Sequence, residues 1–351
     1  YWRCTERVLV KIIYMIKIGF VTSPLSSGHS VRGVGFYTRR LLPELKKQAS
    51  NFGFEILEIS SLGQLEQLGQ LEILHYPFFD LFRHTLPIFK KSKTIVTVHD
   101  VIPLEFPDHY PPGLRGWSNL QLQKIALSRA EGVITDSYAS VKSIHKYLGV
   151  PHEKIKLVYL AADKMFKKVA NPKNKFNLPK KFVLYVGDVN YNKNIPKLVA
   201  ACKLAGLPLV IVGKQAVEIE KMDLSHPELS HLINHKSSII NHFRRLGFVS
   251  NEDLVDLYNL ATVYCQPSFS EGFGFPVLEA LACGTPVACS NTSSLPEIAG
   301  ENATYFDPHD AKNISQAIIK AINHELSTIN LSQFSWQKTA RQTLMVYQEM
   351  L

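Results

Sequence analysis

Short apolar runs rich in β-branched residues recur along this chain at spacings that helices fill, and that rhythm restricts the fold to parallel α/β sheets. In the first half the runs cover residues 16–21, 54–59, 71–75, 94–99, 132–135 and 155–159, with helical stretches around 38–48, 118–130 and 139–147. Residues 167–181 interrupt the rhythm with a polar, Lys-, Asn- and Pro-rich segment of the kind that joins domains. A second series then runs through 182–186, 208–212, 246–249, 263–266, 287–290 and 303–306. The expectation is two doubly wound, Rossmann-like α/β domains, 15–166 and 182–333, facing each other across a cleft, because open α/β sheets bind ligands at their C-terminal strand ends. Phe334-Ser-Trp336 and the residues after it read as a capped terminal helix, 334–351.

With 351 residues and 46% hydrophobic composition the chain has material for two cores, and 20% charged residues is too few for disorder. Five cysteines, none in a C-x-x-C pair, read as reduced buried thiols and point to a cytoplasmic compartment. The apolar stretch 8–21 carries Lys11 and Lys17, so it reads as a leading strand and not as a spanning helix or a signal segment. Met15-Ile-Lys-Ile-Gly-Phe-Val-Thr has the form of a protein start, which leaves residues 1–14 as an upstream extension or a basic interfacial segment. A duplicated Leu-Gly-Gln-Leu-Glu at 62–66 and 68–72 is too short to be architectural and reads as a loop or helix edge.

Charge is unevenly placed. Residues 1–170 hold 23 Lys+Arg against 14 Asp+Glu, and residues 171–351 hold 16 against 16, so the net +9 lies in the first half. Arg39, Arg40, Lys46 and Lys47 beside Leu41, Leu42 and Leu45, together with Phe78, Phe79 and Phe82, suggest an anionic membrane surface that presents a lipid-linked acceptor. The alternative is a solvated basic face over a core-facing leucine stripe. No nucleic-acid partner is expected.

The densest chemical signal is residues 268–300, SFSEGFGFPVLEALACGTPVACSNTSSLPEIAG. Gly272 and Gly274 allow a phosphate close to the main chain, and Pro276 suits the first position of a helix whose free amides attract anions. Glu271 and Glu279 stand eight apart across that helix start. A carboxylate beside a diphosphate is unhelpful unless it accepts hydrogen bonds from hydroxyls, which a ribose and a hexose supply. A dipole-stabilised Glu in a first turn is the plain alternative for Glu279; the Glu271 partner and the intervening glycines favour a sugar-nucleotide site.

Glu-x7-Glu enclosing Gly-Phe-Gly-Phe-Pro, followed by Ala-Cys-Gly-Thr-Pro-Val and Leu-Pro-Glu, resembles the signature of retaining glycosyltransferases of family four, which have the GT-B fold. The resemblance implies that Glu271 contacts the donor sugar and Glu279 the ribose, with Gly272, Phe273, Gly274 and Phe275 in the donor-binding stretch. Gly187-Asp-Val-Asn-Tyr-Asn-Lys193 follows the first strand of the second domain, where a lysine can offset charge growing on a leaving diphosphate. The family usually adds an arginine there; Asp188 and Asn192 occupy those places, leaving Lys193 as the matched cation and Lys214 as a substitute. In the first domain Gly33 and Gly35 match the family's glycine-rich loop. With Thr38 in the third glycine place of an incomplete GxGxxG and no acidic ribose reader, a dinucleotide oxidoreductase is disfavoured. His99, before Asp100 at a strand end, is implied to touch the donor sugar, and Asp163 leads into the hinge.

The implied reaction is metal-independent, cofactor-free transfer of a hexose, with retention, from a nucleoside-diphosphate sugar to a glycan or lipid-linked acceptor, with His99, Lys193 and Glu271 as catalytic residues. His226, His231, His235 and His242 lack the acidic base of an H-E-x-x-H site and read as a solvated face. The run 99–107 and the Gly-Asp-Val-Asn loop look like those of bacterial polysaccharide mannosyltransferases, which suggests GDP-mannose, cell-surface polysaccharide synthesis and a peripheral place on the inner face of the membrane. A GT-B phosphorylase or epimerase, and a sugar-nucleotide binder without turnover, are the alternatives.

Overall fold

The computed structural model describes residues 15–26, 33–61, 63–64, 70–235, 243–323 and 330–351. Residues 1–14 with Cys4, residues 27–32, half of the Leu-Gly-Gln-Leu-Glu duplication and His242 lie outside the described residues. Strands β1 (Ile16–Val21), β2 (Phe54–Ile59), β3 (Ile73–Tyr76), β4 (Lys93–Thr97), β5 (Gly132–Thr135) and β6 (Ile155–Leu157) form one parallel sheet in the order β2-β1-β3-β4-β5-β6. Helices α1 (Gly33–Ala49), α2 (Ile102–Glu105), α3 (Gly113–Ser128) and α4 (Tyr138–Leu148) cover it.

Residues 167–181 contain no helix or strand. The second sheet follows, built from β7 (Val183–Val186), β8 (Leu209–Val212), β9 (Arg244–Leu246), β10 (Val263–Gln266), β11 (Val287–Ser290) and β12 (Ala303–Phe306) in the order β12-β11-β10-β7-β8-β9. With it go α5 (Ile195–Ala205), α6 (Lys214–Glu218), α7 (Asn251–Leu260), α8 (Phe275–Ala282), α9 (Leu295–Ala299) and α10 (Ala311–Ile322). The central strands β3, β5, β8, β10 and β11 are buried throughout, which is why they read as unbroken apolar runs and not as alternating ones.

The terminal helix α11 (Trp336–Glu349) returns to the first domain. Its Trp336, Leu344 and Tyr347 join Ile18, Phe20, Leu41 and Leu45 in one core, and the Tyr347 hydroxyl meets His75 Nδ1 at 2.6 Å. His75 Nε2 is 2.8 Å from Thr97 Oγ1, so both ring nitrogens are satisfied, and burial pushes the imidazole down to about 3. Strand order reverses between β1 and β3 in the first sheet and between β7 and β10 in the second, and these switch points are where such sheets open a crevice for ligand.

Candidate active site

The second switch point carries a charged pair. Gly187, at φ 149°, directly follows β7, and a Cβ on neighbouring Gly213 would collide with the Gly187 carbonyl, so the two loops pack backbone against backbone. Asn194, in the left-handed region at φ 54°, donates to the carbonyls of Pro267 and Pro308 at 3.0 and 2.8 Å and fixes the end of the 187–194 loop. Lys193 is thereby aimed at Glu271, which follows β10, and its Nζ lies 2.8 and 2.7 Å from the two carboxylate oxygens. Gln266 Nε2 and Ser268 Oγ also donate to Glu271 Oε1, at 2.8 and 2.6 Å. Four charge-assisted contacts hold a mostly buried carboxylate in one orientation.

Helix α8 begins with Phe275, so Pro276 takes its second position, not its first, and Gly274 is the cap at φ 106°. Glu279 lies one turn in and is only 9% exposed. Burial raises its carboxyl to about 7, the Tyr258 hydroxyl at 2.8 Å pulls it down, and Asp163 pushes it up.

Three donor-stretch residues have other neighbours than the sequence suggested. A Cβ on Gly272 would meet the His99 carbonyl at 2.8 Å and Asp100 Cβ at 3.0 Å, so its missing side chain lets the first domain approach the loop. Phe273 is buried against Phe334, and the Phe275 ring lies 5.4 Å from Phe36 of α1, because both aromatics close the apolar seam between the domains. Gly33 and Gly35 lie within the first turn of α1 and not in a loop.

His99 sits just beyond β4, at the cleft. Its Nδ1 donates to Asp136 Oδ2 at 2.5 Å and its Nε2 to the Pro77 carbonyl at 3.3 Å. Burial depresses this imidazole, but Asp136 and Asp100 outweigh that and hold its pKa above the ordinary value. Asn192, standing where the family has an arginine, accepts the Tyr110 hydroxyl at 2.7 Å and donates to the Ser270 carbonyl at 3.0 Å, an inter-domain contact. Lys214 is exposed and faces Glu218 at 3.9 Å, in the first turn of α6 after Gly213. Asp163 pairs with Arg40. His231 packs edge-on to Tyr191 instead of lying on a solvated face, and among the described residues no cluster of His, Cys, Asp or Glu is arranged to hold a metal ion.

The leucines of the basic α1 segment face the core and not a lipid surface. Leu41, Leu42 and Leu45 are core residues, Arg40 and Lys46 are paired with Asp163 and Glu58, and Phe79 is buried. Sequence reasoning passed over Asp136, Ser137, Ser140, Tyr258, Gln266, Ser268 and Glu297. Two signals were available: Thr135-Asp136-Ser137 ends a strand as Val98-His99 does, and Glu297 closes the Leu-Pro-Glu element.

Two Rossmann-like domains clasped over a Lys–Glu pair at a switch point make a GT-B glycosyltransferase architecture. The model of glycosyl transferases group 1 matches residues 166–342, just over half of the chain, which therefore belongs to that family, and the model of glycosyltransferase family 4 matches residues 46–164. It is 30% identical over 270 residues to the serotype-specific mannosyltransferase WbdA of Escherichia coli, a match covering 71% of this chain and 32% of WbdA. Against the O-antigen chain mannosyltransferase B of Escherichia coli it is 29% identical over 276 residues, 73% of this chain and 70% of that one. The chain thus spans about a third of WbdA's length. The solved sucrose-phosphate synthase from Thermosynechococcus elongatus shares the fold, with a TM-score of 0.65 at 19% identity over 95% of this chain and 99% of that one. Among the described residues no helix is long and apolar enough to cross a membrane.

Proposed function

We propose that this chain transfers mannose, with retention and without a metal ion, from GDP-mannose to a glycan or lipid-linked acceptor in the synthesis of a cell-surface polysaccharide. The observation that carries the reading is the Lys193–Glu271 pair at the second switch point, with Glu279 one helical turn behind the α8 start. Mannose is favoured by the names of both Escherichia coli relatives.

The bond from the sugar's anomeric carbon to the diphosphate breaks, and the acceptor hydroxyl attacks on the face the diphosphate leaves. Its proton passes to the departing diphosphate oxygen. Lys193 and the α8 amides offset the charge that grows on that group. Glu271 holds sugar hydroxyls and Glu279 the ribose. His99 meets the sugar through Nε2, whose 3.3 Å bond to Pro77 is the weaker of its two and the one a hydroxyl displaces.

The acceptor side is supported by a cavity of about 260 Å³ at the first switch point, lined by Val21, Ile59, Tyr76, Pro77, Phe78 and Thr85. These walls suit an apolar carrier next to a glycan. Gln123 of α3 holds the rim, meeting Thr85 Oγ1 at 2.7 Å and accepting the Leu86 amide at 3.1 Å. The outer face of α3 exposes Leu114 (91%), Trp117 (58%) and Ile125, beside Phe89 (86%) under the Arg129 guanidinium. The helix bears Arg115 and Lys124 and no acidic residue, a composition suited to an anionic membrane on the cytoplasmic side.

A panel of nucleotide sugars, assayed for binding, for hydrolysis and for transfer to polyprenyl-linked glycans, tests the proposal. Turnover from GDP-mannose is expected. Binding without hydrolysis or transfer would make the chain a sugar-nucleotide binder.

A further inference from the structure

The turn leaving β5 for α4, residues 136–140, reaches three separate parts of the site. Within its own domain Asp136 grips the His99 ring. Across the cleft, the Ser137 hydroxyl donates to the Gly272 carbonyl at 2.6 Å, and Ser140 Oγ lies 3.2 Å from that oxygen and 3.0 Å from the His99 carbonyl. From the second domain Glu297 accepts the Tyr138 amide at 2.7 and 3.0 Å, the Ala139 amide at 3.4 Å and the Tyr159 hydroxyl at 2.7 Å.

The first amides of a helix have no intrahelical acceptor and form its positive end. Ser137 Oγ serves one of them, the Ser140 amide at 3.0 Å, and a carboxylate from the other domain serves the two before it, those of Tyr138 and Ala139. Opening the cleft therefore strands those amides and takes the Gly272 carbonyl off both serine hydroxyls. Ser137 and Ser140 are buried, so the hydroxyls face protein and not solvent. Gly272 directly follows Glu271, so its carbonyl fixes the peptide from which the Glu271–Gly274 loop turns into α8.

We propose that the 136–140 turn is a positioning element: Ser137 and Ser140 set the Gly272 carbonyl, Glu297 fixes the register of the two domains, and the donor loop reaches its working geometry against His99 only when both latches are closed. The inference rests on the transfer reading. None of these residues needs to touch the donor.

The test compares wild type with Glu297→Ala and with the Ser137→Ala, Ser140→Ala double variant, with Glu297→Gln in reserve should the alanine form not fold. Turnover with GDP-mannose is measured beside the dissociation constant for GDP, which lacks the sugar. Turnover is expected to fall about tenfold or more with GDP affinity within about twofold of wild type, the split that separates positioning from uniform binding. Unchanged turnover in both variants overturns the inference. So does a parallel loss of GDP affinity, which would mean that the donor loop has collapsed locally. If wild type transfers from no nucleotide sugar, the transfer reading fails and amide exchange decides the latch separately. Glu297→Ala should then speed exchange in the loop 271–274, and unchanged rates there overturn it.

Discussion

Lys193 Nζ bridges both carboxylate oxygens of Glu271, so the cation proposed for the diphosphate is held by the carboxylate proposed for the sugar. A donor must enter by sharing that lysine. Lys193→Ala leaves Glu271 with Gln266 and Ser268 as donors, which keeps its orientation but removes the mobile charge. Losing a charged hydrogen-bond partner costs about 1.5–3 kcal/mol, so turnover should drop about tenfold to a hundredfold with a smaller change in donor affinity. The Lys193→Ala, Glu271→Ala double variant should lose less than the two single losses combined, because the pair acts as a unit. Steady-state kinetics on the three variants decides, and wild-type turnover by Lys193→Ala would refute its role.

Glu279 makes stability depend on pH. Its folded-state pKa of about 7 lies above the ordinary 4.5, so the folded chain keeps a proton that the unfolded chain gives up between those values. The stabilisation is complete below pH 4.5 and is lost as pH rises through 7, with an upper bound of about 3 kcal/mol. Glu279→Gln preserves an acceptor for Tyr258 and removes the titration. It should melt close to wild type at pH 4 and above it at pH 8, while binding GDP-mannose more weakly. Melting curves at the two pH values and calorimetry check both halves; equal melting at pH 8 counts against the assignment.

Gly272→Ala should prevent full closure. The new methyl would lie 2.8 Å from the His99 carbonyl, and backbone cannot swing aside as a flexible side chain can. Transfer is expected to fall about tenfold, from a displacement of the reacting groups and not from lost donor contacts. Small-angle scattering with saturating GDP-mannose should show a larger radius of gyration than for wild type, and an equal radius would contradict the prediction.

Much of this was legible in the chain. The β-branched runs located eleven of the twelve strands among the described residues, most plainly the buried ones, which carry no polar alternation; β9 (Arg244–Leu246) meets the expected run 246–249 only at Leu246, because its two arginines are partly exposed and carry no apolar signal. Glu271, Glu279 and Lys193 were legible through their spacing and strand-end position. What was hidden was reciprocity between domains. Gly272 reads as a phosphate cradle until His99 stands against it, and Asn192 reads as a missing arginine until Tyr110 reaches it from the other sheet. The leucines of α1 show the same limit: a basic amphipathic pattern has one period whether its apolar face meets lipid or a core, and Trp336 and Leu344 of α11 are what cover it.

The α3 face gives a membrane prediction that the α1 segment does not. Wild type should sediment with vesicles containing anionic phospholipid in preference to neutral ones, and added salt should release it. Leu114→Glu with Trp117→Glu should abolish the preference, whereas Lys46→Ala, in a surface ion pair with Glu58, should retain it. Sedimentation that does not distinguish anionic from neutral vesicles would exclude this surface.

The return of α11 also governs the order in which the molecule can be made. A chain emerging from the ribosome presents β1 to β6 long before residues 336–349 exist, yet Trp336, Leu344 and Tyr347 are part of the first domain's core. Until they arrive, Leu41 and Leu45 have a partner missing and His75 Nδ1 has no Tyr347 hydroxyl. The first domain therefore completes its core only after the second has been synthesised. Its apolar α1 groove stays open throughout translation of the second domain, the interval in which a nascent chain is most exposed to aggregation and to chaperones.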